Sequence, residues 1–269
     1  MGDVLRFTVL GCGSSPGVPR IGGDWGACDP SNPKNRRRRC SLLVQRVSRD
    51  GAVTNVLIDT SPDLREQALN AGIGTLDGVL YTHPHADHIH GVDDLRGFVM
   101  NMQRRVDVFG DEPTLARLKA GFGYCFETPT GSEYPPIANA HQIEAGTPVM
   151  IAGKGGALTA LPINQIHGRI ASLAFRIGGL AYSPDASDFD AEAERRLAGL
   201  DVWILDALRP RPHPSHLSVA QSLEWIERLK PKRAILTHMH IDLDYETLRR
   251  ELPENVEPAY DGMVIELPA

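Results

Sequence analysis

Thr82-His83-Pro84-His85-Ala86-Asp87-His88-Ile89-His90-Gly91 follows the apolar run Gly78-Val79-Leu80-Tyr81 and precedes a helix-like segment through Asp93, Leu95 and Arg96. Four side chains that can bind a metal, His83, His85, Asp87 and His88, fall within six residues. In extended chain, residues two apart point the same way, so His83 and His85 share a face. A turn into a helix then swings Asp87 and His88 back toward the same place. Two imidazoles from one pair, and a carboxylate with an imidazole from the other, suit two adjacent divalent cations.

The pattern His-x-His-x-Asp-His between a strand and a helix resembles the metallo-β-lactamase superfamily. The resemblance implies an αββα sandwich, an α/β fold of two mixed sheets packed face to face, with the metal site at one edge between them. The periodicities agree with that picture. Arg6–Leu10, 41–44, 53–58, 106–109, 147–151, 157–162, 172–177, 180–183, 202–205, 234–236 and 263–267 read as strands. Leu64–Ala71, 112–120, 191–198, 219–229 and 245–251 read as helices, the first stopped by Gly72. Gly178-Gly179 is a hairpin signal. The stretches 19–35 and 121–140 read as loops, and His167 as a loop residue before a strand. No linker is long or polar enough to divide the chain, so residues 1–269 are expected to form one domain.

The remaining ligands are sought among histidines and carboxylates at strand ends. His167, Asp185 after Leu180-Ala181-Tyr182-Ser183-Pro184, and His238 after Ile235-Leu236-Thr237 are the candidates. His141 is the rival of His167. By resemblance, His83, His85 and His167 would hold one ion, and Asp87, His88 and His238 the other. Asp185 would bridge them together with a water or hydroxide. Asp59, which matches an early acidic motif, would orient a ligand histidine, with helix capping as the alternative. His90 and His240 are read as neighbours of the site.

Gly11-x-Gly13-Ser14-Ser15-x-Gly17-Val18-Pro19 and Arg39-Cys40-Ser41 narrow the resemblance to the cyclic-phosphate phosphodiesterases of phosphonate breakdown, the PhnP family, and more distantly to tRNase Z. Asp206-Ala207 with Pro214-Ser215-His216-Leu217-Ser218 points the same way. The resemblance implies a binuclear phosphodiesterase, loaded with zinc or manganese, that opens a small cyclic or nucleotide-like phosphate diester. His216 would protonate the leaving alkoxide, with Asp87 and Asp185 as the catalytic carboxylates. The cysteine cluster of the phosphonate enzymes is reduced here to Cys28, which speaks against a further structural metal.

Composition sets bounds on the alternatives. Net charge is −6, with 42% apolar and 23% charged residues, so no overall basic field draws the chain to nucleic acid, and no stable nucleic-acid partner is expected. No apolar stretch reaches the length of a membrane span. Cys12, Cys28, Cys40 and Cys125 are widely spaced, and the N-terminus lacks the order of a signal peptide, so a cytoplasmic location with reduced thiols is expected. Arg36–Arg39 reads as a solvated basic patch before a strand, salt-bridged to the acidic surplus, with a phosphate-binding role as the alternative. The aromatic stretch 122–134 could cap the site or pack a homodimer interface. A tRNase Z-like endonuclease, a thioester or lactam hydrolase, and a non-catalytic nucleotide sensor are the rival functions.

Overall fold

Alternation along the early strands sorts side chains to two sides. In a computed structural model, which describes residues 2–269, Leu42, Val44, Val56 and Ile58 enter the larger apolar core, while their neighbours Leu43 and Leu57 enter a second core on the opposite face. The first sheet runs through β1 (Val4–Gly11), β2 (Ser41–Val47), β3 (Val53–Ile58), β4 (Gly78–Leu80), β5 (Val106–Gly110) and β6 (Ala138–Gln142). The second sheet runs through β7 (Val149–Ile151), β8 (Leu158–His167), β9 (Ile170–Ile177), β10 (Leu180–Ser183), β11 (Val202–Asp206), β12 (Arg233–Thr237) and β13 (Val256–Pro258). A last strand, β14 (Val264–Pro268), returns to pair antiparallel with β1. Each sheet therefore has seven strands. In both, an antiparallel block (β14 to β3, β7 to β10) gives way to a parallel one (β3 to β6, β10 to β13).

Helices cover the outer faces, which completes the expected α/β sandwich. On the first sheet, α1 (Leu64–Ala71), α3 (Leu95–Met102) and α4 (Glu112–Phe122) bury Leu64, Leu95, Phe98, Leu115 and Leu118; a single turn, α2 (Ala86–Ile89), carries the metal motif. On the second, α5 (Ala191–Leu197), α6 (Val219–Leu229) and α7 (Tyr245–Glu251) contribute Leu197, Ile226 and Leu248 to the larger core. The α6 start is fixed by a capping box in which Ser218 and Gln221 satisfy each other's backbone. Among the described residues no helix is long and apolar enough to cross a membrane. The four cysteines are buried and free.

Several sequence expectations need correction. His167 is not in a loop: it ends β8 and pairs with Ile170 across a tight Gly168-Arg169 turn, where Gly168 takes φ +61°. The stretch 121–140 is not wholly loop. β6 begins at Ala138 because its backbone pairs with β5, despite the weak strand propensity of Ala-Asn-Ala. The arginine run is a solvated, salt-bridged patch only in part: Arg36 is exposed, but Arg37 turns inward. Arg37 is 1% exposed and donates to the His240 carbonyl, while Arg38 pairs with Asp261 and Arg39 with Asp63. Of the aromatic stretch, Phe126 is buried in the second core, whereas Tyr124 and Tyr134 are exposed.

The early loop is tied to the segment after β12. Asp244 caps α7 by accepting from Thr247 N at 2.9 Å, and its other oxygen accepts from Asn35 Nδ2 at 2.6 Å and Asp29 N at 3.1 Å. Cys28 lies with Val18 and Ile241 in a small apolar cluster beside this knot. Asp244→Ala is expected to cost about 1–2 kcal/mol in urea unfolding, the range for a lost helix cap with added partners. An unchanged midpoint would show that the cap does not hold the loop.

Candidate metal centre

Asp185 stands in the middle of the candidate ligands. It follows β10, and its backbone carbonyl is clamped by Gln165 Nε2 at 2.9 Å and Ser172 Oγ at 2.7 Å. Its Oδ1 lies 3.0 Å from His88 Nε2. Its Oδ2 lies 3.4 Å from His238 Nε2, 3.7 Å from His83 Nε2 and 3.8 Å from His167 Nε2. Asp87 Oδ2 joins from α2, 3.4 Å from His88 Nε2 and 3.6 Å from His238 Nε2. His167 Nε2 is 3.2 Å from Nδ1 of His85, which opens to solvent while the others are buried. His83, His85, His167 and Asp185 thus form one group able to hold an ion, and Asp87, His88 and His238 another. His141 lies elsewhere, half-exposed against Asp107 and Phe109.

The supporting contacts fix which ring nitrogen is free. Asp59 accepts from Thr82 N and Thr82 Oγ1, each at 2.8 Å, and from His88 Nδ1 at 2.7 Å. Thr82 has one hydroxyl proton, spent on Asp59, so the 2.9 Å contact with His83 Nδ1 is donated by the ring. The carbonyl of Ser215 can only accept, so His167 Nδ1 donates to it at 2.6 Å. In His83 and His167 the proton sits on Nδ1 and Nε2 turns a lone pair toward Asp185, while His88 donates from Nδ1 to Asp59. Asp59 does not cap α1; Asp63 holds that position.

His83 Nε2, His88 Nε2, His238 Nε2, Asp87 Oδ2 and Asp185 Oδ1 are buried without a hydrogen-bond partner. Such orphaned atoms are costly in a protein interior, and a nitrogen and carboxylate donor set of this kind fits a borderline dication. The titration behaviour agrees with the fit. Burial on its own would push Asp185 up, but His238, His88 and His83 outweigh it and hold the carboxylate well below its usual range. Burial, reinforced by His88, holds His83 well below the ordinary histidine value, and burial takes His167 down to about 4. Neutral His83 and His167 beside an ionised Asp185 are the protonation state a metal needs. At His88, by contrast, burial is outweighed by Asp185, Asp87 and Asp59, which hold the ring well above the ordinary histidine value.

The backbone is strained where two of these residues sit. Asp59 has φ +64° and His238 φ +56°, a region that side chains enter only when the surroundings demand it. His238 follows β12 and Asp59 follows β3, so each is a strand end bent toward the same edge.

His216 closes the far side of the cluster. Its ring stacks on His238 at 4.6 Å between centroids and 10° between planes, and its Nδ1 donates to Asp206 Oδ2 at 2.8 Å. Asp206 ends β11, also accepts from Ala186 N at 3.0 Å, and has its other oxygen 3.9 Å from His238 Nδ1. The sequence reading gave Asp206 no role of its own. Its position at the end of an apolar strand is the same signal that singled out Asp185. His240 and His90 stand apart from the cluster, His240 between Arg20 and Asp242, and His90 against Phe122.

Residues 54–239 match the family described as a beta-lactamase superfamily domain. A solved structure described as a new diphosphatase from the PhnP family is 38% identical, with a TM-score of 0.87, over 98% of this chain and 97% of that one. An octanoyltransferase of Porphyromonas gingivalis is 33% identical over 264 residues, which is 96% of this chain and 51% of that protein. A ribonuclease Z of Bradyrhizobium sp. is 28% identical over 124 residues, 43% of this chain and 39% of that protein. The octanoyltransferase is therefore about twice as long as the part this chain spans.

Asp59→Ala is expected to weaken divalent-ion binding by about 10–100-fold, the usual cost of losing a carboxylate behind a ligand histidine. Competition with a chelating dye reads it. Full retention of affinity would remove Asp59 from the set of orienting residues.

Proposed function

The chain belongs to the beta-lactamase superfamily, a family of metal-dependent hydrolases, and from that premise we propose that it is a binuclear phosphodiesterase acting on a small cyclic or nucleotide-like phosphate diester. The observation that carries the reading is the Asp206–His216 pair, seated against a cluster with Asp185 at its centre. His83, His85 and His167 would hold one zinc or manganese ion, Asp87, His88 and His238 the second, and Asp185 would reach both. When bound, such a pair supplies a water made acidic near neutrality and compensation for the charge on phosphoryl oxygens.

The protein's own residues then divide the remaining work. Burial pushes the pKa of His216 down, so the ring rests neutral with its proton on Nδ1. Nε2 is then free to take the proton that the attacking water gives up and pass it to the departing alkoxide, which leaves the ring neutral again. Asp206 holds the ring in orientation and offsets the positive charge of the imidazolium while it lasts. Asp59, the Thr82 hydroxyl and the Ser215 carbonyl align the imidazoles from behind, which leaves Asp87 and Asp185 to act as the carboxylate ligands. A hydrolase acting on a carbonyl has less need of an acid for an alkoxide, which favours the phosphodiester over the thioester or lactam.

The PhnP-family diphosphatase supports phosphorus chemistry, and the ribonuclease Z match keeps RNA as an alternative substrate class. The octanoyltransferase relative favours a second reading, hydrolysis of an acyl thioester, because its name is one of acyl transfer. A panel separates them: a ribose cyclic phosphate, a 2′,3′-cyclic nucleotide, an aryl phosphodiester, a diphosphate diester, an octanoyl thioester and a short 3′-tailed RNA. Cleavage of the small phosphate esters with the thioester untouched is the expected result. Thioester turnover alone would overturn the reading.

His216→Ala is expected to reduce turnover by about 10²–10⁴-fold, the worth of a positioned acid, with metal content by mass spectrometry unchanged. Asp185→Ala is expected to lose both turnover and metal. Full activity in the His216 variant would remove its assigned role.

A further inference from the structure

One side-chain constellation outside the cluster is left without a task. Arg20 leaves the early loop and meets Nε2 of His240 through Nη2, while Nδ1 of the same ring lies 3.0 Å from Asp242 Oδ2. A guanidinium only donates and a carboxylate only accepts, so this imidazole gives its proton to Asp242 and receives one from Arg20. The chain Asp242–His240–Arg20 therefore aims the guanidinium. It does not neutralise it. The carboxylate paired with Arg20, that of Asp24, is 3.9 Å away and more than half exposed, where pairing contributes little. The Arg20 Nε is buried without a partner.

Backbone contacts place this guanidinium beside the segment that follows His238. Ser14 N donates to Met239 O and Ala27 N to Ile241 O, so the early loop runs along the residues that follow His238. His240 N donates to Leu208 O, which draws Arg209 alongside. The Arg209 guanidinium reaches only the carbonyls of Arg211 and Pro212, and among the described residues it has no ion pair. His213 extends the same wall, its ring 5.2 Å from that of His216. The fold thus sets two guanidiniums, Arg20 only weakly paired and Arg209 without an ion pair among the described residues, along the segments that follow His238 and Asp206.

We propose that Arg20, aimed by the Asp242–His240 pair, and Arg209 form an oxyanion subsite that reads a negatively charged group on the non-reacting part of the substrate. This rests on the phosphodiesterase reading and adds a specificity-determining pair to it. The planar fork of a guanidinium accepts a carboxylate or a phosphate in the same way, so oxyanion chemistry is what the residues specify.

The test is a series of p-nitrophenyl phosphodiesters on the metal-loaded enzyme, differing in the second arm: ethyl, 2-carboxyethyl, 2-phosphonoethyl and choline. kcat/KM is expected to rise about tenfold from the ethyl to an anionic arm and to fall for choline, the worth of one charge-assisted hydrogen bond. The carboxylate and phosphonate arms tell which oxyanion is preferred. Arg20→Ala should collapse the ratio, mainly through KM, and Arg20→Lys should restore part of it. Asp242→Ala should lower it as well, by removing the acceptor that holds the ring aiming Arg20. Turnover with no preference for charge sinks the subsite and leaves the phosphodiesterase reading intact, whereas turnover of no diester sinks that reading. Calorimetry with inorganic pyrophosphate decides the subsite in either case: binding about tenfold weaker in Arg20→Ala supports it, and equal binding overturns it.

Discussion

Asp185 is buried with one carboxylate oxygen unpartnered, and it is ringed by imidazole nitrogens that also lack partners. Uncompensated polar atoms in an interior cost more than any one of these side chains returns through packing. A protein keeps such an arrangement only where something outside the chain completes it. Much of the surrounding structure is arranged to hold these atoms apart and turned inward. Asp59 and Thr82 set the His88 and His83 rings, the Ser215 carbonyl sets His167, and Asp206 sets His216. The strained backbone at Asp59 and His238 belongs to the same effort.

The two sheets explain how residues so distant in sequence arrive together. Each sheet passes from antiparallel to parallel pairing, and the parallel strands β3, β4, β10, β11 and β12 release their chains at one edge. Asp59, the His83–His88 motif, Asp185, Asp206 and His238 each follow or end one of those strands. His167 reaches the same edge from the antiparallel side, as the last residue of β8. Helix packing outside the sheets contributes stability, but it is the common edge that makes a site.

The legible part of the sequence was the part whose signal is local. His83, His85, Asp87 and His88 stand side by side, and the strand-turn-helix around them needs no tertiary information. Strand-end position was enough to single out Asp185 and His238, whereas His167, read as a loop residue, came by resemblance; the structure gathers all three in one place. It was not enough for Asp206, which was quoted beside the His216 motif but which only the fold pairs with that ring. β6 and β13 escaped for a different reason. Ala138-Asn139-Ala140 and Val256-Glu257-Pro258 have little intrinsic strand character and owe their conformation to an adjacent strand. The arginine run misled because composition reports that four cations are adjacent, not that Arg37 turns inward to a carbonyl. The Arg20–His240–Asp242 chain joins residues from opposite ends of the sequence, and only the folded protein brings them together.

That two ions share Asp185 is the claim on which the proposed chemistry stands. Anomalous diffraction from crystals grown with zinc, collected on either side of the zinc edge, tests it most directly. The expected map has two peaks flanking the Asp185 carboxylate, one among His83, His85 and His167, the other among Asp87, His88 and His238. A single peak, or two peaks with neither touching Asp185, would contradict it.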